Sequence, residues 1–329
     1  RITGGYTGTS RFFFDNIELA TGTTDCGIGS IEHYQIEIDG ITGNLSTLVP
    51  GISCVGSIVT VTGHDSNDFP SASDEIITLQ TSTGEGNWTL LSGFGAFDNG
   101  TLGDGIATYD FAPNELSATF LFNYTDPDTD LELVNFNMNT AYSIAVAEDP
   151  TLQVAQAGLL FYNETLDNPT SLSPIPTQIA GKPSNVLPDL SLITLEAVRT
   201  SDNDPQACSP LFDAGNTLSI GFAAECQDPA VCSPALTDQF SINGTVMTPE
   251  PDNAGPGTTA PFTPLDILMV DQGAGHVGGD LFFTYADAGQ IEIHARYQIP
   301  LNNNLEGTPS GDFLVGNSLP FVVRPFAFD

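Results

Sequence analysis

The segment His33-Tyr34-Gln35-Ile36-Glu37-Ile38 decides the fold class of this chain. Large side chains alternate with polar ones at every second position, which is the pattern of a strand that is buried on one face. Runs of the same kind follow at 57–62, 75–80, 105–111 and 116–124, and turn-forming residues bound each of them. Strands at this spacing predict an all-β protein made of antiparallel sandwiches.

The length of the chain fits two to three domains, because it has 329 residues of which 40% are hydrophobic. The 33 glycines and 23 prolines fall at short intervals, as in proteins with many short strands and turns. We therefore predict tandem Ig-like antiparallel β-sandwiches. The first is expected over residues 31–148, and residues 149–329 are expected to form the remainder.

Charge restricts the partners of the chain. Forty-one acidic residues stand against six basic ones, which gives a net charge of -35. Nucleic acid is excluded as a partner, because its binding depends on Lys and Arg contacts with phosphates. Direct membrane insertion is not expected, and anionic lipid would repel this surface. The acidic surface favours either cation binding or simple solubility in a salty exterior.

Five cysteines lie far apart in the chain, at Cys26, Cys54, Cys208, Cys226 and Cys232. Wide spacing of this kind predicts isolated disulfide bonds in an extracellular protein. We expect Cys26 to pair with Cys54 and Cys226 with Cys232, which leaves Cys208 over or exchanged with one of its neighbours. Zinc is not predicted, because no cysteine pair has ligand spacing and the four histidines are far apart in sequence.

Known catalytic motifs are absent from the sequence. It contains no Walker loop, HExxH, GxSxG or CxxC pattern. Lysine chemistry would depend on Lys182, the single lysine, which lies in a segment rich in proline and glycine. We therefore predict that the chain is not an enzyme and that it needs no organic cofactor.

One acidic segment is a candidate calcium site. Asp126, Asp128 and Asp130 alternate in the sequence DPDTD. Carboxylates at such positions can surround a calcium ion, but the segment lacks the glycine and the distal glutamate of an EF-hand. A solvated acidic turn is the competing interpretation. Trp88, the single tryptophan, is interpreted as a core or edge aromatic, with a ligand platform as the alternative.

A succession of motifs runs through residues 150–329. These are VAQAGLLFY at 154–162, IPTQIAGKPSN at 175–185, LEAVRT at 195–200, the cysteine cluster that ends in DPAVC at 228–232, YADAGQIEIHARY at 285–297 and FVVRPFAF at 321–328. In this order they resemble the C-terminal domain of MshQ-like proteins, which are encoded in bacterial loci for MSHA type IV pili. Residues 31–148 resemble the bacterial Ig-like repeats of invasin-type surface proteins.

The resemblance implies a surface protein from a locus whose pili serve attachment, and it carries over no catalytic residue. It also implies that residues 1–30 are the terminal strand region of an upstream lectin or laminin-G-like module, or a donor strand. This segment would pair as a strand with the first sandwich, or it would complete a neighbouring copy of the chain by strand addition through its apolar side chains. Those side chains are Phe12, Phe13, Phe14 and Ile17.

Three basic residues are candidates for interaction. The loop that carries Lys182 is interpreted either as a contact between domains or subunits, or as a rigid connector whose path is set by Pro176 and Pro183. Arg296 and Arg324 are two of only six cations, so we expect them to pair with carboxylates at a domain junction.

We predict a non-enzymatic protein of the bacterial cell surface that is a structural or adhesive component of a pilus or extracellular filament. The alternative is a glycan- or calcium-binding adhesin module that does not polymerise. Expected partners are further copies of the chain, pilus components or surface glycans. The sequence has no signal peptide and no apolar run of about 20 residues. We therefore expect a fragment or processed product of a longer secreted precursor.

Overall fold

The structure is a computed structural model, and it describes most of the chain from residue 31 onward. The described residues are 31–73, 75–125, 131–134, 136–139, 149–163, 175–186, 192–201, 204–228, 240–247, 249–250, 262–300 and 313–325. Every regular element within them is a strand, and they form two β-sandwiches that follow one another in the chain. This confirms the prediction of an all-β, Ig-like fold.

Eleven strands build the first sandwich. They are β1 (His33–Ile38), β2 (Leu48–Ile52), β3 (Ser57–His64), β4 (Ile76–Thr81), β5 (Asn87–Ser92), β6 (Ala96–Asp98), β7 (Ile106–Asp110), β8 (Ser117–Asn123), β9 (Leu131–Val134), β10 (Phe136–Asn139) and β11 (Thr151–Ala155). The sequence placed β1 at these same bounds, and the other predicted runs coincide with β3, β4, β7 and β8 to within two residues.

Three sheets enclose the core of the first sandwich. One has the strand order β1-β3-β8-β5, the second β10-β4-β7-β6, and the third β2-β11-β9. Alternation in β1 sends Tyr34, Ile36 and Ile38 inward, where all three are fully buried. Burial of such side chains is the main stabilising term, at about 25 cal/mol for each Å² of apolar surface.

Trp88 belongs to this core rather than to a binding surface. Its side chain is 2% exposed, and its indole N–H donates to the carbonyl of Gly105 at 3.0 Å. The ring packs against Phe120 and Phe122 at centroid distances of 6.2 and 4.8 Å. The interpretation of Trp88 as a core aromatic is confirmed, and the alternative of a ligand platform is wrong.

A buried tyrosine and a buried glutamate tie the β5–β6 turn to the core. The hydroxyl of Tyr109 donates to Oε1 of Glu115 at 2.8 Å and accepts the N–H of Gly95 at 2.8 Å. Glu115 also accepts the backbone N–H groups of Phe94 and Ala112. Burial, followed by the hydrogen bond with Glu115, raises the pKa of Tyr109 to about 12.

We expect Tyr109→Phe to destabilise the first sandwich by about 1–3 kcal/mol, because it removes the hydroxyl that bonds the buried carboxylate of Glu115 and the half-buried N–H of Gly95. Urea unfolding followed by Trp88 fluorescence measures the loss. Tyr297→Phe is the matched control, since the hydroxyl of Tyr297 forms no hydrogen bond within the described residues. The control should change stability by less than about 0.5 kcal/mol. Equal losses in the two variants would contradict the assignment.

Fifteen strands follow in the second half of the chain. They are β12 (Ala157–Asn163), β13 (Gln178–Ile179), β14 (Ile193–Ser201), β15 (Asp204–Pro210), β16 (Thr217–Asp228), β17 (Phe240–Ile242), β18 (Thr245–Val246), β19 (Pro249–Glu250), β20 (Thr263–Leu268), β21 (Val270–Gly273), β22 (His276–Leu281), β23 (Phe283–Tyr285), β24 (Gly289–Gln298), β25 (Phe313–Asn317) and β26 (Phe321–Arg324).

Two larger sheets and one small sheet make up the second sandwich. In one, β12-β14-β22-β21 is extended by β15 on β14, and in the other β13-β26-β24-β16-β19 is extended by β20 and β25. The small sheet has the order β18-β17-β23. A single buried cluster contains side chains from all of these layers, including Phe161, Leu195, Phe222 and Phe283.

The domain boundary differs from the predicted one. We predicted a boundary between residues 148 and 149, but β11 pairs with β2 in parallel and with β9 in antiparallel fashion inside the first sandwich. Leu152 and Val154 of β11 lie in the core of that sandwich. The first sandwich therefore ends at Ala155, and the second begins with β12 at Ala157.

The loop that carries Lys182 is a connector fixed by backbone hydrogen bonds. Gly181 donates to the carbonyl of Tyr285 at 2.7 Å, and Ser184 donates to that of Phe283 at 2.8 Å. β13 just before it pairs in parallel with β26, which places Ile179 opposite Arg324. These contacts favour the interpretation of a rigid connector. The residues of the motif at 175–185 are then explained by the contacts that hold the loop against the second sandwich.

Candidate functional site

The two sandwiches meet at a junction with almost no linker. β11 ends at Ala155 and β12 begins at Ala157, so that Gln156 is the only residue between them. The carbonyl of Gln156 accepts the backbone N–H of Thr200 at 2.8 Å, and the carbonyl of Ala155 accepts the N–H of Ser53 at 2.9 Å. The hydroxyls of Ser53 and Thr200 are also hydrogen-bonded to each other. A one-residue linker held from both sides leaves little freedom for hinge motion.

A disulfide bond crosses the junction. Cys54 of the first sandwich is bonded to Cys208 of the second, 154 residues apart in sequence, with a Cα–Cα distance of 5.1 Å. The predicted pairing of Cys26 with Cys54 is therefore wrong, because spacing along the chain does not report which strands meet at the junction. Cys226 is also disulfide-bonded. Its partner lies outside the described residues, as do Cys26 and Cys232, and the pairing of Cys226 with Cys232 stays a prediction.

Apolar side chains seal the same junction. Cys54, Val55, Leu160 and Val198 form a separate buried cluster, with Ile52 and Cys208 packed against it. The backbones approach so closely that glycine is required on the second sandwich. A Cβ on Gly158 would lie 2.7 Å from the side chain of Ile52 in the first sandwich. The interface is thus packed as densely as a domain core.

A buried carboxyl from the first sandwich faces this junction. Asp39 directly follows β1, is 1% exposed, and accepts the N–H of Ile58 at 2.6 Å. Burial raises the pKa of Asp39 to about 7, against the lowering effect of hydrogen bonds from Ile58 and Ser57. The neighbouring carboxylates of Glu292 and Glu37 raise it further. Its Oδ2 atom has no hydrogen-bond partner among the described residues.

The second sandwich contributes a buried acid–histidine network. Glu292 is fully buried, and it accepts the side-chain amides of Asn317 at 2.6 Å and Gln227 at 2.8 Å. His294 lies on the same strand, with Nε2 2.6 Å from Oε2 of Glu225 and Nδ1 3.8 Å from Oε1 of Glu292. Burial raises the pKa of Glu292, whereas the charge of His294 lowers it. Each carboxylate thus has a polar partner, as buried charges require.

A small cavity separates the carboxyl of Asp39 from this network. Its volume is about 20 Å³, and both sandwiches line it, with Asp39 and Ser57 on one side and Leu159, Val315 and Asn317 on the other. That volume holds about one water molecule. Sites for small molecules usually measure roughly 300–1,000 Å³, so this cavity suits internal solvation rather than a substrate.

Two histidines that are distant in sequence meet at the opposite end of β1. His33 pairs with His64 of β3 across the sheet, and their rings meet edge to face at 5.4 Å. Asp68 in the following loop places Oδ1 3.2 Å from Nε2 of His33 and 3.8 Å from Nδ1 of His64. We predicted no such cluster, because separation along the chain hides partners that a strand register brings together.

Other predicted site residues divide between described and undescribed parts of the chain. Asp126, Asp128 and Asp130 lie outside the described residues, as do Phe12, Phe13, Phe14 and Ile17. Arg296 is stacked between the rings of Phe262 and Phe313, with Cζ 3.9 and 4.8 Å from their centroids. A cation–π contact therefore takes the place of the expected carboxylate, since no described carboxylate lies within ion-pair distance of Arg296. Arg324 is exposed.

No sequence pattern marks the most unusual residue of the junction. Asp39 stands before Gly40 at the end of a strand, which is an ordinary turn composition. Only its burial against the second sandwich makes it unusual.

In the described residues we find no helix that is long and apolar enough to cross a membrane.

One family matches most of the second half of the chain. It is described as a domain of unknown function (DUF6701), first Ig-like domain, and it matches residues 136–317, more than half of the chain. The match begins within the last strands of the first sandwich and extends to the end of β25. No curated protein matches the chain.

Several solved structures share a distant likeness with this chain. The D0-D1 domain of intimin is 9% identical with a TM-score of 0.28, and the likeness covers 89% of this chain and 98% of that one. The Yersinia pseudotuberculosis adhesin InvE is 15% identical with a TM-score of 0.23, covering 86% and 58%. The C-terminal domain of the Streptococcus pyogenes protein AspA is 10% identical with a TM-score of 0.27, covering 87% and 99%. TM-scores this low carry no argument about function.

Proposed function

Because this chain belongs to the family of the domain of unknown function DUF6701, first Ig-like domain, we propose that it is a non-enzymatic, extracellular protein of the bacterial surface. Its role would be structural, as a stiff pair of Ig-like sandwiches that presents or connects other parts of a surface assembly. The observation that carries this proposal is the junction, where a one-residue linker, a disulfide bond and a buried apolar cluster coincide.

Stiffness follows from how these three features act together. Domains that are joined by flexible linkers move relative to one another by default. Here the linker carbonyl is hydrogen-bonded to the second sandwich, and Cys54 is covalently bonded to Cys208 on a different strand. Two covalent connections restrict rotation far more than one. A protein that transmits force or holds a binding part away from the cell needs this property.

The covalent chemistry supports an extracellular location. The disulfide between Cys54 and Cys208 and the further one of Cys226 persist in an oxidising compartment, whereas the cytosol keeps most thiols reduced. The net charge of -35 favours solubility in a salty medium and keeps copies of the chain from associating without specificity.

The buried acid–histidine network of the second sandwich supports a role without catalysis. Glu292 and His294 are fully buried, with Asn317 and Gln227 bonded to Glu292 and Glu225 next to His294, and the adjacent cavity has room for about one water molecule. Catalytic groups need access to a substrate and a position within hydrogen-bond reach of its reacting atoms. The network therefore acts to order the interior of the junction.

A place in an MSHA-type pilus or a related filament is the finer part of the proposal. It rests on the resemblance of the motifs at 154–162, 175–185 and 285–297 to MshQ-like proteins. Strand addition by residues 11–19, calcium binding by Asp126, Asp128 and Asp130, and recognition of surface glycans stay predictions, because their residues or partners lie outside what the structure describes.

Labelling of intact cells tests the proposal. In a bacterium that encodes this chain, immunogold electron microscopy should place the protein outside the cell, and deletion of its gene should reduce attachment to a solid surface several-fold. Complementation with the wild-type gene restores attachment, and complementation with a Cys54→Ala, Cys208→Ala gene restores it less. Label confined to the cytoplasm, or attachment that does not change on deletion, would overturn the proposal.

A further inference from the structure

We propose that His33, His64 and Asp68 form a binding site for a divalent transition metal of the zinc class. The site lies on the first sandwich at the end of β1 that is remote from the junction. Asp39 follows His33 by six residues along an extended strand, which corresponds to a distance of about 20 Å. The inference concerns this sandwich alone and is independent of the surface role.

The strand register brings the two imidazoles together. β1 and β3 are antiparallel, and His33 is directly opposite His64 in the last pair of the ladder. Both side chains extend from the outer face of the sheet, because Tyr34 and Gly63 beside them face the core. Residues that are opposite on one face have Cβ atoms about 4.5–5.5 Å apart, close enough for two imidazoles to share one ion.

A short, tightly bonded loop supplies the carboxylate. Asp65 accepts the N–H groups of Asn67 and Phe69 through Oδ1, at 2.8 and 3.1 Å, and its own backbone is bonded to Phe69 and Asp68. Asp68 itself has a φ of 64°, which turns the loop back over the sheet. The carboxylate of Asp68 is thereby held above both imidazoles without rearrangement of the backbone.

The donor atoms have the separations that a tetrahedral ion requires. Zinc bonds to nitrogen and oxygen are about 2.0–2.2 Å, so two donors on one tetrahedral ion are about 3.3–3.5 Å apart. Oδ1 of Asp68 is 3.2 Å from Nε2 of His33 and 3.8 Å from Nδ1 of His64. All three donor atoms lie within 4.8 Å of one another. The two separations between the carboxylate and the imidazoles thus lie within about 0.3 Å of the tetrahedral range.

An unsatisfied buried atom is directed into the cluster. The side chain of His64 is 9% exposed, and its Nδ1 atom forms no hydrogen bond with the described residues. A buried polar atom without a partner destabilises the folded state, so folded proteins rarely retain one without a reason. A metal ion bound to Nδ1 supplies the missing partner.

The donor set selects the type of ion. Two imidazole nitrogens and one carboxylate suit zinc, copper or nickel, whereas calcium and magnesium prefer oxygen donors alone. The other acid–histidine cluster lacks this geometry. His294 and Glu225 are 2.6 Å apart, the distance of a hydrogen bond, and amides occupy the oxygens of Glu292.

The site leaves part of the coordination sphere open toward solvent. Asp68 is 66% exposed, whereas the imidazoles of His33 and His64 are 13% and 9% exposed. Three protein ligands and a free position on the exposed side allow water, or a side chain of another molecule, to become the fourth ligand.

Titration of the metal-free protein with zinc chloride tests the site. Isothermal titration calorimetry should show that the wild type binds one zinc ion. Asp68→Asn should bind zinc at least about 100-fold more weakly, since even outer-shell substitutions weaken metal sites 10- to 100-fold. Asp68→Asn replaces an exposed carboxylate with an amide of similar shape, so circular dichroism should show an unchanged fold. At a zinc concentration of 100 times Kd, the melting temperature of the wild type should rise by roughly 5–10 °C.

Two further measurements separate this site from adventitious binding. Cobalt should give the visible spectrum of a tetrahedral site in the wild type and lose it in His33→Gln. His276→Gln is the matched control, because His276 contacts Glu196 in the second sandwich at 3.3 Å, and it should bind as the wild type does. Calcium chloride should not displace zinc. No stoichiometric zinc binding, or binding that survives both Asp68→Asn and His33→Gln, would overturn the inference.

Discussion

Replacement of both Cys54 and Cys208 by alanine is expected to lower the free energy of unfolding by about 4–5 kcal/mol. The bond closes a loop of 154 residues, and the loss of conformational entropy in the unfolded chain grows with the length of the closed loop. The largest consequence should be for the coupling between the sandwiches. Without this bond, only Gln156 connects them covalently.

Trp88 makes that coupling measurable. It is the only tryptophan and is buried in the first sandwich, so its fluorescence reports unfolding of that sandwich. Far-UV circular dichroism reports both sandwiches together. In the wild type we expect the two urea transitions to coincide, and in the double variant we expect them to separate. Coincident transitions in both proteins would show that the apolar cluster alone couples the sandwiches.

The single variants are the controls for this experiment. Cys54→Ala and Cys208→Ala each remove the same bond, so each should be nearly as destabilised as the double variant. If the loss came instead from packing of the two side chains, the single effects would add up. Additive effects would therefore contradict the role of the disulfide bond.

The second large effect concerns pH. We expect the protein to be more stable near pH 5 than near pH 8, and we expect Asp39→Asn to remove much of the difference. Burial and the nearby carboxylates of Glu292 and Glu37 raise the pKa of Asp39 to about 7 in the folded protein, against a value of 3.8 for an ordinary aspartate. The unfolded chain therefore releases this proton at a lower pH than the folded protein does.

The sign follows from proton linkage. Between the two pKa values the folded state holds a proton that the unfolded state has lost, so stability decreases as pH rises through this interval. Below about pH 4 the stabilisation is fully present, and above pH 7 it is lost. Each pH unit between the two pKa values corresponds to about 1.4 kcal/mol, which makes a total of a few kcal/mol. The raised pKa of Glu292 acts in the same direction.

Urea unfolding at several pH values measures this dependence. Asp39→Asn keeps an oxygen for the N–H of Ile58 but cannot ionise, so its stability should change less between pH 5 and pH 8 than that of the wild type. Asp110→Asn removes an exposed carboxylate from the same sandwich and should retain the slope of the wild type. A slope in Asp39→Asn equal to that of the wild type would show that Asp39 is not the group responsible.

Local sequence pattern predicted the strands because alternation reports burial directly. In β1, the residues at every second position are the ones that the core takes up, and the prediction of this strand is confirmed at both ends. Trp88 was predicted as a core aromatic for a similar reason, since a large ring that follows a β-prone run has few alternatives to burial. These properties depend on neighbours in sequence, which the sequence displays.

The junction could not be predicted, because its parts come from several segments that are distant in the chain. Cys54 and Cys208 meet only after β11 and β12 have aligned the two sandwiches, and Asp39 is buried only because the second sandwich covers it. The predicted boundary at 148/149 missed β11 for a related reason. A parallel pairing with β2 has no local signal comparable to the short turn of a hairpin.

The amino-acid sequence by itself determined the all-β class, the positions of the main strands, the acidic character and the membership in an Ig-like family. The first three depend on composition or on patterns within about ten residues, and family membership depends on the order of such patterns along the chain. Only the tertiary structure decided which cysteines are bonded, which carboxyl is buried at the junction and which histidines share a carboxylate. Contacts between residues far apart in the chain depend on strand order and register, and local alternation is compatible with many strand orders.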